Sequence, residues 1–589
     1  MNKEMTLKDG INRLFSMIWV EKWLFCGGMF FMILTTLAML VDPLIIAHII
    51  DFSVPNNDLK DMFLWGSMFA VMVLISGWMS YLRSIWMAKL GLKVITSLKN
   101  NLFNHLLLLP IKFFDKTPAG VLIARVESDC ERVKELFSQF SITIVGNILF
   151  FIGMFIVLFA KNWQVTLYLF LPLSITIALT IFIIKYLTKY YTKSRELTAD
   201  LTGRLTEYIQ GINTIQLFNH QNKAEDYVNI KSKEKQLVDT KAGFIEYGAW
   251  GVNDFFMSYI LVIIIVLLIS PKVIDGAVSI GLLVVFLQYS ARLVWPIMQI
   301  AENMNQFQRA FVSLKRVFGL LEEEPEINNN ESGRGKPYPY DVFTNEIEFK
   351  NVWFKYKDDE WVLKDISFTI KKGSKIALVG SSGSGKTTTI SLLCRFYDIQ
   401  KGNIYVDGVD LYSIPLEVWR KKIGLILQDI VLFPGNLLEN IRIYNDDISL
   451  YEVKKAIEVS HSDILLERLD NDLESEIIER GQNLSMGERQ LVSFARAVCF
   501  NPEIIIMDEA TASIDAKTEN LIQASMDETL KGKTAVIIAH RLVSVLDSDE
   551  ILLFQNGEIK NRGTHHELLN DSEEYKKLVE LQFLKEKLD

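Results

Sequence analysis

The sequence predicts a membrane-embedded α-helical bundle of six transmembrane helices, followed by an α/β domain built around a phosphate-binding loop. Three observations carry this. Half of the 589 residues are hydrophobic, and the long apolar runs all fall before about residue 300. A polar stretch rich in Asn, Gly and Pro follows at 326–343. Beyond it, a short apolar strand pattern leads straight into Gly380-Ser381-Ser382-Gly383-Ser384-Gly385-Lys386-Thr387, a complete G-x-x-x-x-G-K-[ST] loop. A chain of this length is too long for one domain.

Crossing a bilayer takes about 20 helical residues. Six stretches meet that length, at 23–50, 62–82, 140–160, 163–184, 247–269 and 280–300. One or two such runs would fit the buried helices of a large soluble protein; six with few internal charges do not. Residues 1–22 are polar and mixed, with no cleavage-site pattern, so no signal peptide is expected. Loop charge sets the orientation. The loop at 83–139 carries Lys89, Lys93, Lys99, Lys112, Lys116, Arg125, Arg132 and Lys134, and the loop at 185–244 is equally basic. The other three connections carry one lysine each, Lys60, Lys161 and Lys272. Both long loops, both termini and the second domain are therefore expected in the cytoplasm. Apolar residues at helical spacing in 97–109 and 201–221 predict that the membrane helices continue well past the bilayer.

Three charges fall inside spans, Asp42, Asp254 and Arg292, and intramembrane charges are functional candidates by default. Counted from the outer helix ends, Asp254 and Arg292 sit at similar depths. They are expected either to pair, within the chain or across a dimer, or each to face a water-filled cavity.

The linker at 326–343 divides a membrane domain at 1–325 from a second domain at 344–589, where alternating strand patterns begin at Ile347-Glu348-Phe349. The strand at 375–379, the glycine loop and the helix pattern that follows together form a phosphate cradle. Backbone N–H groups curl round the phosphate oxygens, and the helix dipole adds positive potential. In such a loop the lysine, here Lys386, reaches the β- and γ-phosphates, and Thr387 ligates Mg²⁺. A second apolar strand, 504–507, ends at Asp508-Glu509. Acidic groups at the end of a buried parallel strand beside that loop fit an Mg²⁺-holding carboxylate, Asp508, and a general base for water, Glu509. The net charge of −9 gives no footprint for nucleic acid. Cys26, Cys130, Cys394 and Cys499 lie far apart, with neither metal-ligand spacing nor a disulfide framework.

Over essentially its whole length the chain resembles an exporter-type ABC transporter, with the nucleotide-binding half fused behind the membrane half. The segment Leu484-Ser485-Met486-Gly487-Glu488-Arg489-Gln490 is similar to the family signature. Gln428 stands where the Q-loop glutamine stands, and Ser513-Ile514-Asp515 looks like the D-loop. His540 resembles the switch histidine, and Tyr356 the ring that stacks on adenine. Glu479-Arg480-Gly481 resembles a motif of exporters rather than importers. In the membrane half, Phe113-Phe114-Asp115 with Gly120, Arg125 and Asp129 looks like the first cytoplasmic loop, whose tip is a coupling helix. Glu207, Gly211, Ile215 and Phe218 look like the second.

The resemblance implies a type 1 exporter fold and the family's chemistry, the hydrolysis of ATP with Mg²⁺. Residues 380–387 and Thr388 would hold the nucleotide with Tyr356, while Thr387, Gln428 and Asp508 would serve the metal. Glu509, His540 and Gln428 would serve hydrolysis. Two such chains would sandwich two ATPs head to tail, so Ser485 and Gly487 would meet the ATP of the partner.

The sequence departs from the family at the signature, usually L-S-G-G-Q. Met486 replaces a glycine and Glu488 the glutamine, both where backbone must approach phosphate. An asymmetric heterodimer with a second half-transporter accounts for this more economically than a homodimer. The implied cargo is an amphipathic or hydrophobic drug, lipid or peptide, moved across the cytoplasmic membrane by a multi-pass protein in contact with membrane lipid. No peptidase-like domain precedes the first span, so leader processing is not indicated. The same motifs also fit a membrane ATPase that gates another protein, or an importer on the exporter fold.

Overall fold

The computed structural model describes residues 7–136, 143–292, 294–326, 343–357, 360–469, 472–508, 516–539 and 545–586. They fall into two compact units. One comprises Met1–Leu107 and Ala119–Glu323, the other Leu108–Pro118 and Glu324–Asp589.

The first unit is helical: α1 (Leu7–Val20), α2 (Lys22–His48) and α3 (Leu59–Leu107). Past α4 (Ile111–Lys116), which belongs to the second unit, come α5 (Ala119–Ala124), α6 (Cys130–Glu135), α7 (Gly146–Lys161), α8 (Trp163–Gln210) and α9 (Ile212–Leu217). They are followed by α10 (Gln221–Asp254), α11 (Leu261–Ile274), α12 (Ile280–Ala291) and α13 (Val294–Leu321). At 1.5 Å per residue, the 49 residues of α3 and 48 of α8 each run more than twice the roughly 30 Å of a hydrocarbon core. This is the helical continuation that the spacing in 97–109 and 201–221 predicts. Beyond the apolar part of α3, buried Met87, Leu90, Val94, Leu98 and Leu102 repeat at helical spacing. Asp129 is buried there, accepting from Ser313 Oγ at 2.7 Å, with Arg132 and Arg316 alongside.

By length and composition, three helices among the described residues could each cross a membrane alone: Lys22–Ser53, Leu59–Leu107 and Thr143–Lys161. The fourth expected span is the start of α8. The fifth is helical throughout, a π-helical segment at Phe255–Ile260 joining α10 to α11, whereas the sixth is divided, α12 ending at Ala291 with Arg292 as its C-cap. The break has a cause the apolar run concealed: Pro296 offers no N–H to the Arg292 carbonyl, and a proline ring crowds the carbonyl four residues before it.

That break changes the fate of Arg292. Among the described residues, Arg292 and Asp254 do not pair. Asp254 instead accepts from Ser258 Oγ at 2.7 Å. The Arg292 guanidinium turns to α2, donating to the Met39 carbonyl at 2.7 Å and lying 3.4 Å from the Asp42 carboxylate. Equal depth does not bring the two charges together within the chain, because α12 ends beside α2, whose carbonyl and carboxylate lie nearer to Arg292. Pro43 sits inside α2, so the Met39 carbonyl, four residues earlier, has no helical donor. Arg292 supplies one, and Tyr289 donates its hydroxyl to the neighbouring Leu40 carbonyl. At the far end of α2 the Asp51 carboxylate caps the start of α12, accepting from Gly281 N at 2.6 Å. Any side chain at position 281 would strike that carboxylate, since a Cβ would lie 2.4 Å from Asp51 Oδ2.

In the second unit, β1 (Glu346–Phe354), β2 (Leu363–Lys371), β4 (Lys401–Val406) and β5 (Val409–Asp410) form an antiparallel sheet in the order β2-β1-β4-β5. The larger sheet has the order β12-β11-β3-β10-β9-β6. Its parallel strands are β3 (Lys375–Gly380), β6 (Ile423–Ile426), β9 (Ile504–Asp508), β10 (Thr534–Ile538) and β11 (Glu550–Gln555), with β12 (Glu558–Gly563) antiparallel at the edge. The centre of this sheet is buried on both faces, so β9 and β10 read as continuous apolar runs. Ile376, Leu378, Ile504, Ile506, Val536 and Ile538 face the core shared with the antiparallel sheet; Ala377, Ile505, Met507 and Ile537 face the opposite one. A third apolar cluster, including Leu437, Ile441, Val453, Leu465 and Val492, binds together the helices that carry the signature.

Removing Arg292 strands both the Met39 carbonyl and the Asp42 carboxylate in an apolar bundle. Arg292→Leu is expected to lower the melting temperature of the detergent-purified protein by several degrees, and Asp42→Asn added to it should recover part of that loss.

Candidate functional site

The parallel strands deliver the site. The glycine loop follows β3, Asp508 closes β9, and Gln428 follows β6, all at the carboxyl ends of strands in one sheet. That end of an open α/β sheet is where ligands bind. Glu509 and the segment Ser513-Ile514-Asp515 follow β9, and His540 follows β10; all of these lie outside the described residues.

The loop is shaped by positions only glycine can fill. Gly380 has φ 151°, and a Cβ there would lie 2.2 Å from the Phe554 carbonyl oxygen. Gly385 has φ 110°, with its Cβ position 2.5 Å from Leu363 Cδ2. The loop opens directly into α14 (Lys386–Leu393). Lys386 is only 6% exposed, and its ammonium donates to the Gly380 carbonyl at 2.8 Å and the Ser381 carbonyl at 2.9 Å, with Ser384 Oγ at 3.4 Å. Burial lowers its pKa, and the Asp508 carboxylate works against that shift. The structure therefore brings Lys386 and Asp508 into one electrostatic neighbourhood. Ser381, Ser382, Gly383 and Thr387 are exposed along the cradle. Gln428 is also exposed, beyond the end of β6.

Tyr356 is fixed rather than loose. Its hydroxyl donates to Thr388 Oγ1 at 3.2 Å, and Phe354 and Tyr397 meet it edge to face, with centroids at 4.9 and 5.0 Å. The ring is 43% exposed above the first turn of α14. Tyr397 also donates its hydroxyl to Asp115 of α4, so one aromatic cluster joins the ring beside the phosphate loop to that short helix. No spacing rule marked Tyr397; its ring meets Phe354 and Tyr356, some 40 residues before it, and its hydroxyl meets Asp115, far earlier in the chain.

The signature opens α19 (Met486–Cys499). Ser485 is its N-cap, accepting at Oγ from Glu488 N at 3.2 Å, while Glu488 Oε2 accepts from Ser485 N at 2.7 Å. This is a reciprocal capping box. Gly487 is buried in that first turn. The Met486 thioether lies back along its own helix, 3.5 Å from an Arg489 nitrogen. The bonds of Ser485 stay within this turn and do not reach the phosphate loop of the same chain.

Comparison with known proteins agrees with both halves. The family profile "ABC transporter transmembrane region" matches residues 25–297, and the profile "ABC transporter" matches 363–512. A Bacillus subtilis protein named as a probable multidrug resistance ABC transporter ATP-binding/permease protein is 34% identical over 541 residues, covering 90% of this chain and 78% of that one. The chain belongs to the ABC transporter family. An ATP-dependent lipid A-core flippase of Haemophilus influenzae is 31% identical, covering 87% of this chain and 86% of its own length. A putative ABC transporter ATP-binding protein of Streptococcus pneumoniae is 30% identical over 94% of both chains. This ABC transporter is thus of the exporter type, a multi-pass membrane protein whose nucleotide domain hydrolyses ATP to drive transport.

Stacking of a base on an aromatic ring is worth about 1–3 kcal/mol. If Tyr356 stacks on a bound adenine, Tyr356→Ala raises the half-saturating ATP concentration for hydrolysis by roughly 5- to 150-fold. Tyr356→Phe, which loses only the Thr388 bond, should stay close to wild type.

Proposed function

We propose that this chain is one half of a dimeric exporter that moves an amphipathic or hydrophobic compound, a drug, lipid or peptide, out across the cytoplasmic membrane, and that its partner is a different chain. The observation that carries the asymmetric reading is a mismatch. The phosphate loop keeps its full set of glycines and the buried Lys386, while the signature has Met486 and Glu488 where family members carry glycine and glutamine. Paired with a chain bearing an ordinary signature, this loop and Glu509 make a complete hydrolytic site, and the Met486 signature covers a weaker site on the partner. The names of the Bacillus and Haemophilus relatives, one for multidrug resistance and one for a lipid flippase, support an amphipathic cargo.

In this reading residues 1–325 form the six-span membrane domain, 326–343 the linker and 344–589 the nucleotide domain. Both termini and the nucleotide domain face the cytoplasm. Residues 380–387 with Thr388 hold the phosphates, Tyr356 the adenine, and Ser485 and Gly487 the partner's nucleotide. Glu509 takes the proton of the attacking water, Gln428 orients it, and His540 steadies the γ-phosphate.

Thr387, Gln428 and Asp508 offer a hydroxyl, an amide and a carboxylate, a hard-oxygen set suited to Mg²⁺. Among the described residues no cluster of three or more His, Cys, Asp or Glu forms a metal cage. Mg²⁺ held by these groups would supply positive charge against the charge that develops on the phosphoryl oxygens. α4, held to the nucleotide domain through Asp115 and Tyr397, is the element that passes closure on to the membrane helices. Closure requires the γ-phosphate, so ATP shifts the population toward the outward-open state and hydrolysis returns it.

The chain purified by itself is expected to hydrolyse ATP slowly, and to gain activity and substrate transport in proteoliposomes once joined by the subunit that copurifies with it from its own cells. Vigorous turnover as a homodimer would refute the asymmetric pairing. Within the active dimer, Glu509→Gln should slow hydrolysis by about 10²–10⁴-fold while ATP binding persists.

A further inference from the structure

The signature departure at Glu488 comes with a partner that no motif assigns. Arg468 is the last residue of α18 (Asp463–Arg468), 20 residues before Glu488. Its Nε lies 2.6 Å from Glu488 Oε1 and a terminal nitrogen 3.1 Å from Oε2, a two-pronged fork on the carboxylate. The same nitrogen reaches the Asn483 carbonyl at 3.4 Å, just ahead of the signature. Glu488 is meanwhile turned onto the Ser485 N–H, so both of its oxygens are engaged.

A glutamine at 488 could make the same capping box without charge, since the motif accepts Glu or Gln. The carboxylate therefore adds nothing that the helix start requires, and it places a full negative charge in the first turn of α19. There Ser485 and Gly487 would meet a nucleotide carrying several negative charges of its own. A like charge at such short range opposes binding through incompletely screened Coulomb repulsion. Arg468 cancels the charge where it arises.

We propose that Arg468 is a positioning residue of the nucleotide sandwich: by forking onto Glu488 it neutralises the acidic signature and restores its capacity to accept the partner's ATP. The residue acts through Glu488 and not on the phosphate itself. The inference rests on the proposed role of the signature and explains how a signature with an acidic fifth residue still closes on a polyanion. A bare carboxylate at 488 would repel phosphate; the fork on it offsets that penalty.

The test is a cycle of Arg468→Ala, Glu488→Gln and the double variant in the full-length active dimer, reading ATP hydrolysis against ATP concentration. Arg468→Ala is expected to raise the half-saturating ATP concentration roughly three- to tenfold, with a smaller effect on maximal rate. In the Glu488→Gln background the same change should have little effect. The Arg468→Ala defect should shrink as salt rises from about 0.05 M to about 0.5 M, because the uncovered charge is screened. Arg468→Lys, which keeps the charge and loses the fork, should lie near wild type. If Arg468→Ala does not reach the membrane, Arg468→Gln removes the same charge with the side-chain stem retained.

An equal cost of Arg468→Ala in both backgrounds, or a salt-independent one, would reduce the pair to a structural brace and overturn the proposal. So would an unchanged half-saturation. Ser485→Arg separates the two levels of the argument. If ATP photolabelling of the partner's phosphate loop is untouched by it, this signature does not contact nucleotide and both readings fall; if that labelling is lost while the cycle is additive, only Arg468 loses its role.

Discussion

Lys386 is an ammonium group placed almost out of reach of water, with two backbone carbonyls, a serine hydroxyl and the nearby Asp508 carboxylate for company. A buried cation so loosely compensated is costly unless an anion can share the site. The backbone around it is bent through glycine conformations that expose N–H groups along the same cradle, and the start of α14 adds its dipole. A triphosphate would supply what this arrangement lacks. Gly380 closes against the Phe554 carbonyl, Gly385 against Leu363, and the strands on either side of β3 hold the loop at the carboxyl end of the sheet.

Two other charged arrangements solve related problems by local pairing. In the membrane half, Pro43 opens a hole in the hydrogen-bonding of α2, and Pro296 ends α12 at the level where Arg292 can fill it. In the nucleotide half, Glu488 brings a charge to the start of α19, and Arg468 covers it. In each case a residue that looks unfavourable in isolation is matched by one distant in sequence. The match is electrostatic and leaves no periodic trace.

This sets what could be read from the sequence. Apolar runs, the strand–loop–helix context of residues 375–393 and the alternating pattern from Ile347 follow from local periodicity, and the helices and strands formed there accordingly. The glycine loop was legible because few backbones can wrap a phosphate. The division of the sixth span at Arg292 was missed because a single proline outweighed a long apolar run. The pairing of Arg292 with Asp42 was missed because helix depth says nothing about which face a side chain takes. Tyr397 and Arg468 carried no signal, since their partners Asp115 and Glu488 are reached only through the tertiary fold.

The central claim is that the buried Lys386 cradle holds the triphosphate on which every later step depends. The direct measurement is equilibrium binding of ATP to the full-length protein in detergent, wild type against Lys386→Met, a substitution that keeps the length of the stem and removes the charge. The account predicts that the variant folds, inserts in the membrane and loses most of its affinity for ATP together with hydrolysis. Undiminished ATP binding and turnover in Lys386→Met would contradict it.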